Sequence, residues 1–309
     1  MNTIIQAIEH GNLDVLEKAL LRGWDVNQPI GQSYAAETPL RKAFRKQQYE
    51  TVKWLVKNEV ELNDPENPAC VSAAQFGDAE IFSYLLAEGM DVNLSWSNGV
   101  SALSAAASEG KIDLVHLMVQ QHVDIQRFGG YALWHAAFNG DMKMMELLVK
   151  SGADVNYSKR EDGITPLTAV LRYVKKNQEQ LVRFLLDHGA DVTIQTDYGE
   201  RAYHCAKRLG NATIIEWIRA NEPKEWHDLE EKQADFRKKG MPEEVISLLS
   251  KGPFKLDCPK GQYTYHVTFG DAFDVIEFKH REHELLDLLT DVEAYGGFGV
   301  LAWSVTDHC

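Results

Sequence analysis

The sequence predicts a mainly α fold, a solenoid of about seven repeated helix pairs followed by a small α+β domain. The first observation is a phrase, LLVKSGADVN at residues 147–156, which occurs in six versions along the chain. The second is that these versions are spaced by roughly 30 to 37 residues, the period of a small supersecondary unit. The third is that the period stops after Glu222, and that strand-like alternation appears later, at residues 263–269. We therefore predict a repeat domain over 1–222 and a second domain over 223–309.

Each unit combines a first helix with small residues, a second helix with leucines, and a polar ending. Aligned on the small residues, the seven units cover residues 6–27, 38–63, 69–93, 101–126, 132–156, 165–192 and 201–221. In the sixth, Thr165 provides an N-cap and Pro166 suits a first-turn position. Gly152 is expected to end the fifth unit's second helix in a left-handed conformation. These features predict antiparallel helix pairs that stack in sequence order.

These motifs resemble those of the ankyrin repeat, whose pattern runs from Gly-x-Thr-Pro-Leu through an Ile-Val-x-Leu-Leu helix to Gly-Ala-Asp-Val-Asn. Residues 163–167 and 152–156 match it almost letter for letter, and the resemblance covers residues 2 to about 222. It implies stacked helix pairs with hairpins on one side and a concave groove. It also implies noncatalytic binding of another protein in that groove.

Some units depart from the pattern. Glu59 and His122 stand where Gly is expected, each at a cost of about 1 kcal/mol if φ is positive there. The sixth unit carries extra residues within 171–180, which predict a bulge between its helices. The seventh has Arg201-Ala202 in place of Thr-Pro, as a terminal unit would.

The groove positions of the resemblance are the residues before the mid-unit Gly and the hairpin tips. The predicted partner-binding residues are Arg45, Lys46, Phe76, Trp96, Phe128, Phe138, Tyr198 and Arg208. The aromatic members lie where stacking alone would not bury them, and aromatic and Arg side chains are frequent interface hot spots. The alternative is that these rings pack on neighbouring hairpins.

The region after Glu222 predicts a charged helix, a short helix over 241–252 and a strand over 263–269. Residues 273–292 are expected to mix a short helix with a polar stretch, and 297–305 to form an apolar strand. Trp226, Leu229 and Phe236 are predicted to face the last repeat.

The opening Pro242-Glu243-Glu244 and the late Val300-Leu301-x-Trp303 strand of this region resemble a SUKH-superfamily domain, over roughly 241–305. Ankyrin arrays and SUKH domains both occur among bacterial immunity proteins. The resemblance therefore implies that the partner is a toxin, which this chain would neutralise. The later strands of such a domain are absent from the pattern.

Charge and composition limit the classes of partner. The formal charge of −14 argues against nucleic acid and anionic membrane, which both need a cationic surface. It leaves a basic protein partner or a simple solubility role open. The N-terminus lacks the pattern of a signal peptide, so we expect a cytoplasmic protein, and we expect a monomer.

The sequence carries no catalytic signature. GxSxG, the phosphate-binding P-loop and GxGxxG after a strand are all missing. His280, His283 and Glu284 could share a helix face, but HExxH spacing is absent and a solvated face is the better interpretation. We expect no enzyme activity, no cofactor and no metal. The alternative is that the C-terminal domain is a small enzyme or ligand-binding module targeted by the repeats.

Overall fold

A computed structural model describes residues 2–31, 37–158, 162–257, 264–280, 283–294 and 302–305. The chain divides into two compact units, Met1–Tyr157 and Ser158–Cys309. The last two repeats thus belong to the same compact unit as the C-terminal residues. The predicted domain boundary after Glu222 stays a prediction.

The described residues of unit 1 form five helix pairs. They are α1 (Asn2–His10) and α2 (Leu13–Leu20), α3 (Pro39–Arg45) and α4 (Tyr49–Lys57), α5 (Ala69–Phe76) and α6 (Ala79–Ala87), α7 (Ala102–Ser108) and α8 (Ile112–Gln120), and α9 (Ile125–Asn139) and α10 (Met142–Lys150). The first helices of successive pairs contact one another, and α6, α8 and α10 form the second row. Small buried residues, among them Ala74, Ala107 and Ala137, separate the first helices and permit their close approach. Larger side chains such as Leu85 and Leu148 fill the seams and are fully buried.

The Asn that ends each of the first three units links that unit to the next. Asp91 accepts a hydrogen bond from the backbone N–H of Asn93 at 2.8 Å, which forms a tight turn. Asn63 accepts from the backbone N–H of Asp91 at 2.8 Å and donates to the carbonyl of Gly89 at 3.0 Å. Asn27 makes the equivalent pair of bonds one unit earlier. This ladder of hydrogen bonds between successive units gives a physical reason why the same residues recur at the ends of the repeats.

The two positions that lack glycine adopt the predicted left-handed backbone. Glu59 has φ of 63° and His122 has φ of 57°. Two further non-glycine residues, Gln47 and Asn177, have positive φ that the sequence did not indicate. Side chains with a Cβ are strained in this region, so these four turns lower the stability of the fold.

One prediction for the fifth unit is wrong. Phe128 was expected at a hairpin tip, but it lies inside α9 and is 5% exposed. The reason is that Asp124 caps the backbone N–H of Arg127 at 3.0 Å, so the helix begins directly at Ile125. Gly130 allows this extended helix to approach Tyr157, since a Cβ there would lie 2.6 Å from that side chain.

Unit 2 begins with the last two helix pairs. They are α11 (Pro166–Tyr173) and α12 (Gln178–Asp187), then α13 (Ala202–Leu209) and α14 (Ala212–Asn221). Thr165 and Thr168 form a reciprocal capping box at the start of α11, as expected for this motif. The predicted bulge is confirmed, because α11 ends at Tyr173 and the chain passes through left-handed Asn177 before α12.

The C-terminal residues of unit 2 combine two helices with two antiparallel sheets. A 3-10 turn (Lys224–His227) leads to α15 (Leu229–Lys238) and α16 (Glu243–Ser250). The strands are β1 (Phe254–Asp257), β2 (Thr264–Phe269), β3 (Ile276–His280), β4 (His283–Asp287), β5 (Leu289–Ala294) and β6 (Ala302–Ser304). They pair in the orders β1-β2-β5 and β3-β4-β6. The predicted helix over 241–252 and strand over 263–269 are confirmed within these bounds.

Two predictions for this region need correction. Within the predicted range, residues 276–280, 283–287 and 289–292 form strands rather than a short helix, because Leu286 and Leu288 alternate into the same buried cluster with the period of a strand. Phe236 is fully buried in that cluster, and Leu229 packs against it. Of the three residues predicted to face the last repeat, Trp226 does so, with the Arg201 guanidinium 4.1 Å from its ring.

No helix in the part of the chain that the structure describes is both long enough and apolar enough to cross a membrane.

Candidate protein-binding surface

Four of the predicted partner-binding residues lie at the ends of first helices in unit 1. Arg45 and Lys46 end α3, Phe76 ends α5 and Phe138 lies near the end of α9. Because α3, α5, α7 and α9 are successive neighbours, these ends follow one another along one row. We call this set, together with Trp96, the inner-helix surface.

The α3 end of this surface is cationic. Lys42 contacts Glu9 at 2.9 Å and Glu37 at 3.2 Å, and its side chain is mostly covered. Arg45 contacts Glu37 at 2.9 Å and Lys46 contacts Glu9 at 3.5 Å. The hydrogen bond from Lys42 lowers the pKa of Glu9, so this carboxylate stays ionised. Arg45 and Lys46 keep about half of their side chains exposed.

Trp96 lies at a hairpin, as predicted. Its backbone N–H donates to the carbonyl of Val100 at 2.9 Å, which closes the turn before α7. The Arg41 guanidinium lies 4.5 Å from the centre of the indole ring, a cation–π distance. Trp96 is half-buried. The hairpin therefore presents its indole beside the start of α3.

The end of α5 is held by a lysine from the following unit. Lys111 donates to the carbonyls of Ala74, Gln75 and Gly77 at 2.8 to 3.0 Å, which satisfies groups that a helix C-terminus leaves open. Burial lowers the pKa of Lys111. The neighbouring Phe76 is half-buried, and its backbone carbonyl accepts from the Tyr49 hydroxyl at 3.1 Å. The backbone of Phe76 is therefore held in place, and its ring is partly exposed to solvent.

The α9 end of the surface is aromatic. Phe138 is 40% exposed and stacks on Trp134, with ring centres 5.4 Å apart and planes 19° apart. Tyr131 lies 4.7 Å from His135 by ring centres. These four residues recur at helical spacing, so one face of α9 carries all of them. Of these four, only Phe138 was predicted as a binding residue, although the spacing of the aromatic residues in YALWHAAF indicated that all four share one helix face.

The two remaining predicted residues lie in unit 2. Tyr198 is 70% exposed at a hairpin, where Gly199 donates to the carbonyl of Thr196 at 2.8 Å. Arg208 contacts Glu200 at 2.5 Å, and Glu200 also binds Arg172. Arg208 is thus part of an ion-pair network.

A buried charged cluster in unit 2 was not predicted. Arg201 contacts Glu222 at 3.2 Å, and His227 Nε2 lies 2.7 Å from the second oxygen of Glu222. Burial raises the pKa of Glu222 to about 7, against the opposing effect of Arg201, and burial lowers the pKa of His227 to about 4. The His227 ring lies 4.6 Å from that of Tyr203. In the sequence, Arg201 could have indicated the cluster, because this charged residue stands where the repeat pattern has the buried Thr that caps a first helix.

A second polar contact links the seventh unit to the strand region. Lys207 on α13 contacts Asp271 at 2.8 Å and Asp274 at 2.6 Å, between β2 and β3. Both this contact and the buried cluster join α13 to residues that follow Glu222. The seventh repeat is therefore bonded to the C-terminal residues of its unit.

The histidines considered for a metal site lie on strands. His280 and His283 are paired in register between β3 and β4. Their side chains, like that of His266, lie outside the described residues. Among described side chains, no group of three or more His, Cys, Asp or Glu is placed to hold a metal ion. Cys70 and Cys205 are buried and free of disulfide bonds.

Comparison with known proteins is informative for the repeats. A family model described as Ankyrin repeats (3 copies) matches residues 70–159 and 133–226, which together cover about half of the chain. The chain is 23% identical over 241 residues to Ankyrin repeat and KH domain-containing protein mask-1 of Caenorhabditis elegans, covering 73% of this chain and 9% of that protein. It is 26% identical over 148 residues to a Putative ankyrin repeat-containing protein of Treponema pallidum, covering 47% and 48% respectively.

A third relative, the B-cell lymphoma 3 protein homolog of Mus musculus, is 30% identical over 117 residues, covering 38% of this chain and 23% of that protein. The chain thus spans less than half the length of each of these three relatives. None of these similarities supports the resemblance of residues 241–305 to SUKH domains. The family match, the helix pairs and the Asp-x-Asn ladder agree, and the chain belongs to the ankyrin-repeat family.

Proposed function

We propose that this chain binds a partner protein, without catalysis, through the inner-helix surface of unit 1. Ankyrin repeats imply protein–protein interaction, and the surface supplies the residue types that interfaces favour. The observation that carries the proposal is Phe138, a large ring 40% exposed yet held in place by stacking on Trp134. A ring ordered before binding loses little conformational freedom when a partner covers it.

Tyr198 and Arg208 remain proposed contacts of unit 2. Tyr198 has the exposed ring expected of a contact residue. The ion pair of Arg208 with Glu200 makes it the weaker candidate. Phe128, which is buried, is withdrawn from the proposed surface.

A narrower proposal is that the partner is a toxin and that the chain acts as its immunity protein. What supports it is the resemblance of residues 241–305 to SUKH domains, including a helix that begins at Glu243 after Pro242. A captured partner that arrests growth when expressed alone, and is neutralised by co-expression of this chain, would bear it out. A partner without toxicity would rule it out.

The proposal is tested by affinity capture from the native host with the full chain, followed by mass spectrometry. The test variant replaces Phe76, Trp96 and Phe138 with Ala, and the control replaces the exposed Leu21 and Tyr173 with Ala. We expect the test variant to lose the captured protein at least tenfold while its thermal midpoint stays within a few degrees. The control should retain the protein.

Full-length variants are preferable to a chain cut at Glu222. Such a cut would remove Trp226, which Arg201 contacts, and His227, which contacts Glu222. A folding defect would then be mistaken for lost recognition. Equal retention by the test variant and the wild-type chain would contradict the proposal.

A further inference from the structure

We propose that the α3 end of the inner-helix surface binds an acidic, partly apolar peptide segment of the partner. The α3 patch consists of Arg41, Arg45, Lys46, Phe76 and Trp96. This inference rests on the proposed function and specifies the chemistry of the partner.

The α3 patch carries a local excess of positive charge. Helix α3 and its C-cap contain four cations within six residues: Arg41, Lys42, Arg45 and Lys46. Two carboxylates, Glu9 and Glu37, contact three of these cations. Within this group the surplus is two positive charges. A chain with a net charge of −14 thus carries a cationic spot.

The exposed cations of the patch have unused hydrogen-bonding capacity. Arg45 has a side chain 48% exposed, and its contact with Glu37 uses the Nη2 atom. A guanidinium has five N–H donors, so it can still bind an incoming carboxylate. Lys46, 43% exposed, contacts Glu9 at a long 3.5 Å. Both cations can therefore engage carboxylates without first breaking a buried ion pair.

Two aromatic rings lie beside the cations. Trp96 lies next to the start of α3 through Arg41, and Phe76 ends the neighbouring helix α5. A seven-residue helix is about 10 Å long, a distance that three extended residues can span. One short segment can therefore place carboxylates on Arg45 and Lys46 and an apolar side chain on a ring.

The net charge does not prevent this association. At physiological salt, charges more than about 8 Å apart are largely screened, so the local surplus governs what binds at α3. Nucleic acid is the less suitable anion, because its binding depends on many phosphate contacts along a cationic surface. Two spare charges beside two rings fit a peptide better.

The test is a phage-display selection of 12-residue peptides on the immobilised full chain, with selected peptides then synthesised and titrated by fluorescence anisotropy. We expect enrichment in Asp and Glu together with an aromatic or Leu. Arg45→Glu with Lys46→Glu should weaken these peptides at least tenfold, and Arg45→Gln with Lys46→Gln by less. The matched control reverses Lys143 and Lys150, two exposed lysines of α10.

The outcomes separate this inference from the proposed function. The selected peptides could instead be apolar or basic, with binding that is lost in Phe138→Ala but kept after charge reversal at Arg45 and Lys46. That result would overturn the inference and leave the proposed function standing. Peptides unaffected by either change would contradict both. Failure to select any peptide, or displacement of the acidic peptides by a 12-nucleotide oligothymidine, would also overturn the inference.

Discussion

The two units bury different kinds of side chain. Among the described residues of unit 1, the buried polar side chains are all hydroxyls: Thr51, Ser72, Ser101 and Ser104. Unit 2 buries the charged Glu200, Arg201 and Glu222, and also His204. The repeat seams of unit 1 thus need no buried charge. Buried ions appear in the seventh repeat, which departs from the family pattern and is bonded to the C-terminal residues.

The stability of each unit is therefore concentrated in different residues. In a repeat array, each seam adds a similar apolar contribution, so stability is spread over many equivalent contacts. A buried ion pair behaves differently. With both partners present, the cost of desolvation nearly cancels their attraction, so the net effect on stability is small. Removal of one partner leaves the other charge buried and unpaired, which is strongly destabilising. Unit 2 should therefore depend strongly on a few residues.

The largest expected effect is at Arg201. Arg201→Met should cost about 3–5 kcal/mol at pH 8, where Glu222 is ionised in the wild-type chain, because this carboxylate would be left buried with His227 alone. The control is Arg183→Met, which removes the exposed pair with Asp187 and should cost less than about 1 kcal/mol. Denaturant unfolding followed by intrinsic fluorescence measures both. Equal costs would show that burial does not distinguish the two pairs.

A seam residue should have the next largest effect. Leu148→Ala should cost roughly 2–5 kcal/mol, because it opens a cavity between stacked helices of unit 1. Leu21→Ala, at a leucine 81% exposed, should change the stability by less than about 0.5 kcal/mol. Calorimetry of both variants gives the comparison. A small loss at Leu148 would mean that the seams of unit 1 are not the source of its stability.

Unit 2 should also lose stability on acidification. Burial lowers the pKa of His204 from 6.5 to about 3 and that of His227 to about 4, so both stay neutral in the folded state while the unfolded state protonates below 6.5. Glu222 acts oppositely, since its raised pKa of about 7 lets the folded state hold a proton that the unfolded state binds only below 4.5. Between pH 6.5 and 4.5 the unfolded state therefore holds one proton more.

The expected loss is about 1.4 kcal/mol per pH unit from these three groups. His204→Gln removes one of the two histidine protons, so its free energy of unfolding should vary little between pH 6.5 and 4.5. Denaturant titrations at pH 6.5, 5.5 and 4.5 measure both slopes. An unchanged slope in the variant would show that His204 is not buried neutral.

The smallest expected effect is at a strained turn of unit 1. His122→Gly should stabilise the fold by up to about 1 kcal/mol, because glycine adopts a φ near 57° without strain. The control is His116→Gly within α8, where glycine should instead destabilise by a similar amount. Thermal unfolding distinguishes the two signs. A loss at His122 would mean that its side chain contributes more than its backbone costs.

Local patterns were sufficient to predict the repeats but not the exceptions. Gly152 and the Asp-x-Asn endings specify turns within a few residues, so the helix pairs followed from spacing, whereas the candidate surface came from the resemblance to the ankyrin repeat. Phe128 was misplaced because one cap, Asp124, changed where a helix begins. The cluster around Glu222 depends on residues brought together by folding, and no spacing along the chain indicates it.

The most direct test of the account is hydrogen–deuterium exchange of the full chain, with and without the protein captured from the host. We predict slower exchange on binding at residues 41–46, 75–77, 96–100 and 135–139 of unit 1. Residues 224–257 of unit 2 should exchange at the same rate in both states. Protection confined to unit 2 would contradict the account, because recognition would then lie outside the inner-helix surface.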